Sequence, residues 1–416
     1  MSVRKCQISL IKILVLLLPY HYLIFAVLLQ NYPVLKLWRD LIMMIIIVLG
    51  MCSQKIILDL CSLIDGIFIV LTIVLIIVSP VPNQAINIAR VYIIPLLMFH
   101  TVKKMNYKNS EISELLSLVF GNTIILSFYG IFQAYILGGD FLVSLGYGTA
   151  ENGLGAEFFL SNFAGGVLVG GVQRVVSTFS SANVCSFYFC IVFIIFLFGE
   201  KYIRVRKRTR VCFLVLLAAT IVLTFSRSCW LAMLIAVLLY ARKPLIEVIK
   251  KRKGIVIVVV IAITVLVGTN KRIQNSLEHI INSSLSGTDT SLLSHNDSKN
   301  AARKKIEKSP YGFGLGINGP RALNYGSSNL VESSYYLMMF EYGIVGGIIY
   351  FWDYIYVIML AVNNKKKNKV RNYLLTMTVF VLIAYINIPY IQEIECTVLY
   401  FISVGIVLKN SKGDMI

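Results

Sequence analysis

The sequence is poor in charge, and poorest in acid. Only 14% of its 416 residues are charged, against about 25% in a soluble domain. Asp and Glu together number 20, against 39 Lys and Arg, while 57% of residues are hydrophobic. That composition excludes an ordinary soluble protein of two or three domains. A formal charge of +19 leaves three classes open: a nucleic-acid binder, a peripheral protein on anionic lipid, or a polytopic membrane protein with basic loops. The first two do not need apolar runs of about 20 residues. No nucleic-acid partner is therefore expected.

Familiar catalytic and metal signatures are also missing. The eight cysteines lie almost entirely in apolar stretches, so neither a disulfide framework nor a zinc spacing is readable. Of the four histidines, His21 and His100 fall within apolar runs, and His279 and His295 lie far apart in a polar segment. His295 and Asp297 form one local pair, which is a weak cation signal, and no metal is expected. There is no Gly-x-Ser-x-Gly elbow, no His-Glu-x-x-His and no Walker-type phosphate loop. The two halves of the chain do not repeat, unlike the halves of many secondary transporters.

What the chain does have is apolar runs, at 8–29, 34–52, 56–78, 84–102, 115–137, 181–199, 211–225, 229–241, 254–269, 333–362, 373–390 and 396–408. A bilayer core asks for about 20 apolar residues per helix. The pair 211–225 and 229–241 is short and separated only by Ser226, Arg227 and Ser228, so it reads as a tight hairpin or as two half-depth helices. Most of the Lys and Arg fall in alternate connections: 1–7, 53–55, 103–114, 200–210, 242–253, 363–372 and 409–416. The positive-inside rule makes these segments cytoplasmic, both termini included. The expectation is one all-α polytopic membrane domain over residues 1–416, with about twelve membrane helices surrounded by lipid. The excess positive charge is then a topology signal, since the acids and bases on the outer side balance.

Two outer segments are too long to be simple connections. Residues 138–180 are rich in Gly and partly apolar, which suits a loop or a re-entrant stretch; residues 270–332 are polar and rich in Ser and Asn. Long loops tend to carry function or disorder, so chemistry is expected outside the cytoplasm.

Several residue types there suit chemistry on an anionic substrate. Arg174 stands shortly before the run at 181, in a stretch that ends at Asn183, and Arg227 sits at the turn of the short pair. An arginine held among apolar flanks either snorkels to lipid headgroups or meets an anion, whose oxygens its planar fork matches two at a time. Arg90 lies inside the fourth run, where it reaches a phosphate or pairs with a buried acid such as Asp59 or Asp65. The alternation Gly312, Gly314, Gly316 either exposes N–H groups to an anion or forms a hinge. Glu332 precedes the run at 333. Partial desolvation there would raise its pKa toward that of a general base; the alternative is a carboxylate complementing a helix N-terminus. Glu341 lies deeper, beside Gly343 and Gly346, where helix packing is an equally good role.

In this order, Arg174 to Asn183, Ser226-Arg227 between short runs, the Pro310-to-Gly316 alternation and Glu332 to Gly346 resemble the O-antigen polymerase and ligase superfamily. The resemblance covers roughly residues 165–350, and the number of runs and the large late outer loop agree with it. It implies a membrane glycosyltransferase of GT-C-like architecture, metal-independent and inverting, with no cofactor. It further implies donor and acceptor oligosaccharides on polyprenyl (undecaprenyl) pyrophosphate, at the outer face of a bacterial cytoplasmic membrane. The product would be O-antigen or capsular polysaccharide, with a chain-length regulator as a further partner.

Carried over, Arg174 and Arg227 bind pyrophosphate and Glu332 is the base. Arg321 or Arg303 holds the second substrate, and Arg90, Asn183, Gly314, Gly316 and Tyr336 complete the substrate site. Family ligases usually carry His where Glu332 stands, so the resemblance leans toward a repeat-unit polymerase over a ligase. A flippase of lipid-linked oligosaccharide is the non-enzymatic alternative. The few charged residues within runs make no continuous path across the bilayer, which favours the enzyme.

Overall fold

A computed structural model describes residues 2–29, 31–53, 59–147, 173–199, 202, 205–251, 254, 274, 278, 282, 290–319, 331–363 and 368–411. Among these residues all regular structure is helical, and no strand occurs. The apolar runs account for most of it. α1 (Val3–Leu17), α2 (Trp38–Ser53), α3 (Leu60–Val78), α4 (Pro82–Val102) and α5 (Asn109–Phe132) cover the first five. A short α6 (Gly138–Ser144) follows, then α7 (Ala182–Phe198), α8 (Lys207–Leu223), α9 (Arg227–Ala236) and α10 (Arg242–Lys251). All of the run at 254–269 except Gly254, and the Gly-rich stretch at 148–172, lie outside the described residues.

The long polar segment contains a helix that its composition did not announce, α11 (Thr290–Lys308). The run at 333–362 is two helices, α12 (Ser334–Tyr350) and α13 (Trp352–Asn363), followed by α14 (Asn368–Ala384) and α15 (Ile394–Ser411). Among the described residues five stretches are long and apolar enough to cross a membrane: Leu60–Val78, Pro82–Val102, Asn109–Ser144, Arg227–Glu247 and Ser334–Asn363.

α3 shows how such a helix is oriented. Leu60, Leu63, Ile67, Val70, Val74 and Ile77 recur at helical spacing and are all exposed. The opposite face buries Asp65, Phe68 and Thr72. A helix that turns its aliphatic stripe outward and its carboxylate inward suits lipid surroundings, because exposure of that stripe to water would be unfavourable along its whole length.

The chain divides into two compact units. The first comprises Met1–Leu18, Leu37–Glu111 and His295–Ile416; the second comprises Pro19–Lys36 and Ile112–Ser294. In the first, α4 is the central helix, packed by α2, α3 and α15. Buried aromatic rings surround it, with Tyr92 edge-on to both Tyr342 and Tyr350, and Phe99 against Phe401. In the second, α7 is buried on nearly every side and packs on α8 and α9, as expected of a helix that is apolar all round.

α12 is broken at Gly343, whose backbone has φ +75°. The break opens main-chain groups to the segment that follows α11. Phe313 N–H donates to Phe340 O at 2.7 Å, Gly314 N–H to Glu341 O at 3.2 Å, and Ile344 N–H to Pro310 O at 2.9 Å. Two backbones can lie this close only without side chains between them. A Cβ on Gly343 would stand 2.7 Å from Pro310 O, and one on Gly312 would stand 2.5 Å from Gly343 N. Gly343→Ala is therefore expected to cost about 1–3 kcal/mol from left-handed strain alone, with crowding added. Thermal unfolding in detergent should show a clearly lowered midpoint, and a midpoint within experimental error of the parent would contradict the tight approach.

Candidate functional site

Two constellations gather sequence-selected residues, one in each unit. In the second unit, the chain leading into α7 lies against the turn between α8 and α9. Val175 N–H donates to Leu223 O at 3.0 Å. Arg174 then spans both sides: Nε donates to Thr224 O at 2.8 Å and Nη2 to Asn183 Oδ1 at 2.7 Å. Asn183 lies in the first turn of α7, whose N-cap Ser181 accepts from Val184 N–H. Arg227 opens α9, directly after Thr224, Phe225 and Ser226. The structure thus brings together Arg174, Asn183 and the Thr224–Arg227 turn, although Thr224 lies 50 positions after Arg174 in the sequence.

Both segments that meet here are strained. Among the described residues the non-glycine positions with positive φ are Ser177 (φ 58°) and Phe225 (φ 52°), and both lie beside Arg174 in this fold. Ser177 Oγ donates to Leu126 O at 2.8 Å, which anchors one of them. Strain of about 1–3 kcal/mol per residue persists only where the surrounding packing imposes it, and such residues cluster at functional sites. Two cationic heads, Arg174 half-buried and Arg227 at a helix N-terminus, make this turn suited to an anion.

In the first unit, Glu332 stands just before α12, and its backbone N–H donates to Ser298 Oγ at 3.1 Å. Its side chain meets a residue that sequence reasoning set aside: His295 Nδ1 lies 2.6 Å from Glu332 Oε2. The side chains are 25% and 20% exposed. The pair is thus partly shielded yet reachable, and neither facing atom has a hydrogen-bond partner elsewhere among the described residues. α11 delivers the histidine. Its residues His295, Ser298, Ala302 and Ile306 recur every three to four positions, and Ala302 and Ile306 are buried. That spacing was the available signal, but it lay in a segment whose polarity argued for a loop.

The remaining candidates are placed as follows. Tyr336 is half-buried, one turn into α12 from Glu332. Arg303 is exposed on α11 and paired with Glu307 at 2.9 Å; that hydrogen bond and charge, with a smaller contribution from Tyr336, raise its already high pKa. Arg321 lies outside the described residues. Gly314 gives its N–H to Glu341 O, and Gly316 lies against α4, where a Cβ would be 2.9 Å from Ala85 N. Close packing accounts for Gly316, whereas at Gly314 a Cβ would meet nothing within 4 Å and the left-handed backbone, φ +93°, is what favours glycine. Glu341 is fully buried and accepts from Tyr92 Oη at 2.6 Å, and Tyr92 in turn accepts from Gln392.

Arg90 pairs with Asp40, an acid not among those anticipated, and donates from Nε to Asn87 O at 3.2 Å. Asp59 takes Lys103 and Asp65 takes His100 instead. Arg90→Ala and Asp40→Asn are expected to lower thermal stability alike, by about 1–3 kcal/mol for a partly shielded pair. Both should leave the substrate KM unchanged. A raised KM in Arg90→Ala alone would instead place this arginine on substrate.

Residues 212–351 match the family model described as O-antigen ligase. The match runs from α8 to the end of α12 and so includes Arg227, Arg303, Gly314, Gly316, Glu332 and Tyr336, together with His295. That family comprises O-antigen ligases and polymerases, glycosyl-transfer enzymes that act on lipid-linked oligosaccharides. No curated protein matches the chain.

Proposed function

We propose, from the O-antigen ligase domain at residues 212–351, that this protein polymerises polyprenyl-pyrophosphate-linked oligosaccharide repeat units into O-antigen or capsular polysaccharide. It would do so as a polytopic protein of about twelve spans, on the outer face of a bacterial cytoplasmic membrane, with both termini inside. The alternate basic connections support that orientation.

The observation that carries the chemistry is the pairing of Glu332 with His295. An acceptor sugar hydroxyl attacks the anomeric carbon of the donor. The bond from that carbon to the pyrophosphate oxygen breaks, and the configuration inverts. The hydroxyl proton passes to the Glu332–His295 pair, in which the carboxylate orients the imidazole and stabilises the charge it acquires. The electron pair of the broken bond leaves on the pyrophosphate, where Arg174 and Arg227 stabilise the developing charge. Asn183 holds Arg174, while Tyr336 and Arg303 are assigned to meet sugar hydroxyls or a second lipid-linked anion.

A ligase reading draws support from the description of the matched family and from the histidine that stands against Glu332. The two readings part in one experiment. Purified protein given lipid-linked repeat units alone should build a ladder of longer lipid-linked chains. A ligase would build none and would transfer a chain only when given a separate terminal acceptor. Failure to make any glycosidic bond under either condition would overturn both.

A further inference from the structure

Apart from the Glu332 region, the first unit contains a buried set of side chains that the proposed reaction does not use. Cys61, Asp65, His100 and Asp353 each present one ligand-type atom, and these four atoms lie within 4.8 Å of one another. Three helices supply them. Cys61 and Asp65 share one face of α3, one turn apart; His100 comes from the last turn of α4; Asp353 comes from the first turn of α13. Cys61 and Asp353 are fully buried, and Asp65 is 3% exposed.

The set is rich in acidic groups and incompletely satisfied. Cys61 Sγ lies 2.5 Å from Asp353 Oδ1, and His100 Nε2 faces Asp65 Oδ2. The other oxygens, Asp65 Oδ1 and Asp353 Oδ2, are buried with no hydrogen-bond partner among the described residues. Two carboxylates and a thiol in one dry cluster are unfavourable unless cations neutralise them. Lys103 is the nearest cationic side chain, but its ammonium pairs with Asp59 at 3.4 Å and lies over the rings of Phe99 and Tyr356.

The second layer of side chains prepares the imidazole for a ligand role. Ser62 Oγ donates its proton to Asp59 Oδ1 at 2.5 Å, so toward His100 Nδ1, 3.4 Å away, it is an acceptor. The Asp59–Ser62 pair therefore places the proton on Nδ1 and turns the Nε2 lone pair inward, the arrangement by which outer-shell groups orient metal-bound histidines.

We propose that Cys61, Asp65, His100 and Asp353 bind one divalent cation of the zinc class. One thiolate, one imidazole and two carboxylates make a borderline donor set suited to tetrahedral Zn²⁺ or Co²⁺, not to Mg²⁺ or Ca²⁺. Metal–donor bonds of about 2.0–2.3 Å would draw the four atoms to roughly 3.5 Å from one another, a small adjustment of the present spacing. The ion would fasten α3, α4 and α13 together at the end of α12 remote from Glu332. On the orientation proposed above, that end faces the cytoplasm. Its role is structural and separate from glycosyl transfer.

The test uses the full-length protein in detergent, stripped with a chelator and titrated with Co²⁺ alone. Expected are stoichiometric binding, tetrahedral d–d absorption and a thiolate-to-cobalt charge-transfer band. The charge-transfer band should be lost in Cys61→Ser. Asp59→Asn, which keeps all four donors, should weaken binding about tenfold or more. Zn²⁺ should displace the cobalt and raise the unfolding midpoint of the stripped parent. Absence of a tetrahedral spectrum in the folded parent would overturn the site, leaving a cluster held by protons. So would a spectrum unchanged by Cys61→Ser. Should Cys61→Ser fail to fold, the spectrum of the parent and the affinity of Asp59→Asn decide the matter.

Discussion

Glu332→Gln is expected to slow glycosyl transfer by about 10²–10⁴-fold, and His295→Ala by a similar factor, with the double variant no slower than the worse single one. The expectation follows from the geometry at the start of α12. Glu332 Oε2 and His295 Nδ1 are each other's close polar partner at 2.6 Å. If they move one proton together, removing either member disables the same step, and the second removal finds nothing left to lose. In free energy the single loss is about 3–5 kcal/mol of barrier. A carboxylate that only complements a helix terminus behaves differently. Its replacement would cost about 0.3–1 kcal/mol of stability and leave the rate nearly intact. The measurement is the initial rate of chain extension on a purified lipid-linked repeat unit, taken beside the unfolding midpoint of each variant. Rates near the parent's, or losses that multiply in the double variant, would remove the pair from the reaction. The banding of surface glycan in a complemented deletion strain gives the same answer in cells, as single-repeat glycan without a ladder.

Much of the fold was legible in the sequence because membrane helices announce themselves in one dimension. An apolar run such as 56–78 becomes α3, Leu60–Val78, with little adjustment, since a lipid-facing stripe needs only local composition. Polar pairing is different. Arg90 found Asp40 on α2, although Asp59 and Asp65 were the acids considered. The partner is fixed by which helices pack on α4, and composition does not report that. His295 went unrecognised because its segment is polar, and it becomes a partner only once α11 forms and brings it to a residue 37 positions later. Likewise Cys61, Asp65, His100 and Asp353 have no motif spacing, because three helices deliver them. The glycines at 312, 314 and 316 were legible as sites of close backbone approach. For Gly312 the partner is the backbone at the Gly343 break and for Gly316 it is α4, while Gly314 has no such close neighbour. The sequence places Arg227 at the turn of a short pair of runs and Arg174 shortly before another, but the bond from Arg174 to Asn183 required coordinates.

That bond leads to the other large effect expected. Arg174→Lys and Arg227→Ala should each lower kcat by about 10²–10³-fold, the magnitude associated with losing one donor to a developing oxyanion. For Arg174 even the conservative change should be severe. Its guanidinium donates in two directions at once, to Thr224 O at 2.8 Å and to Asn183 Oδ1 at 2.7 Å. A single ammonium cannot reproduce that planar fork, so Lys at 174 would keep the charge and lose the orientation. Asn183→Ala removes one of the two holds and keeps the cation, and should give a smaller loss of about tenfold through misplacement. This ordering distinguishes catalysis from anchoring. A snorkelling arginine is replaced well by lysine, since both carry a cation on an apolar stem to the headgroups. The discriminating data are kcat and KM on lipid-linked substrate for Arg174→Lys, Arg227→Lys and Asn183→Ala, with the unfolding midpoints alongside. If both lysine variants keep the parent's kcat and KM, the arginines serve the lipid surface and the leaving group must be stabilised elsewhere. If kcat falls while the midpoints hold, the backbone strain at Ser177 and at Phe225 is the price of aiming two guanidinium groups at one pyrophosphate.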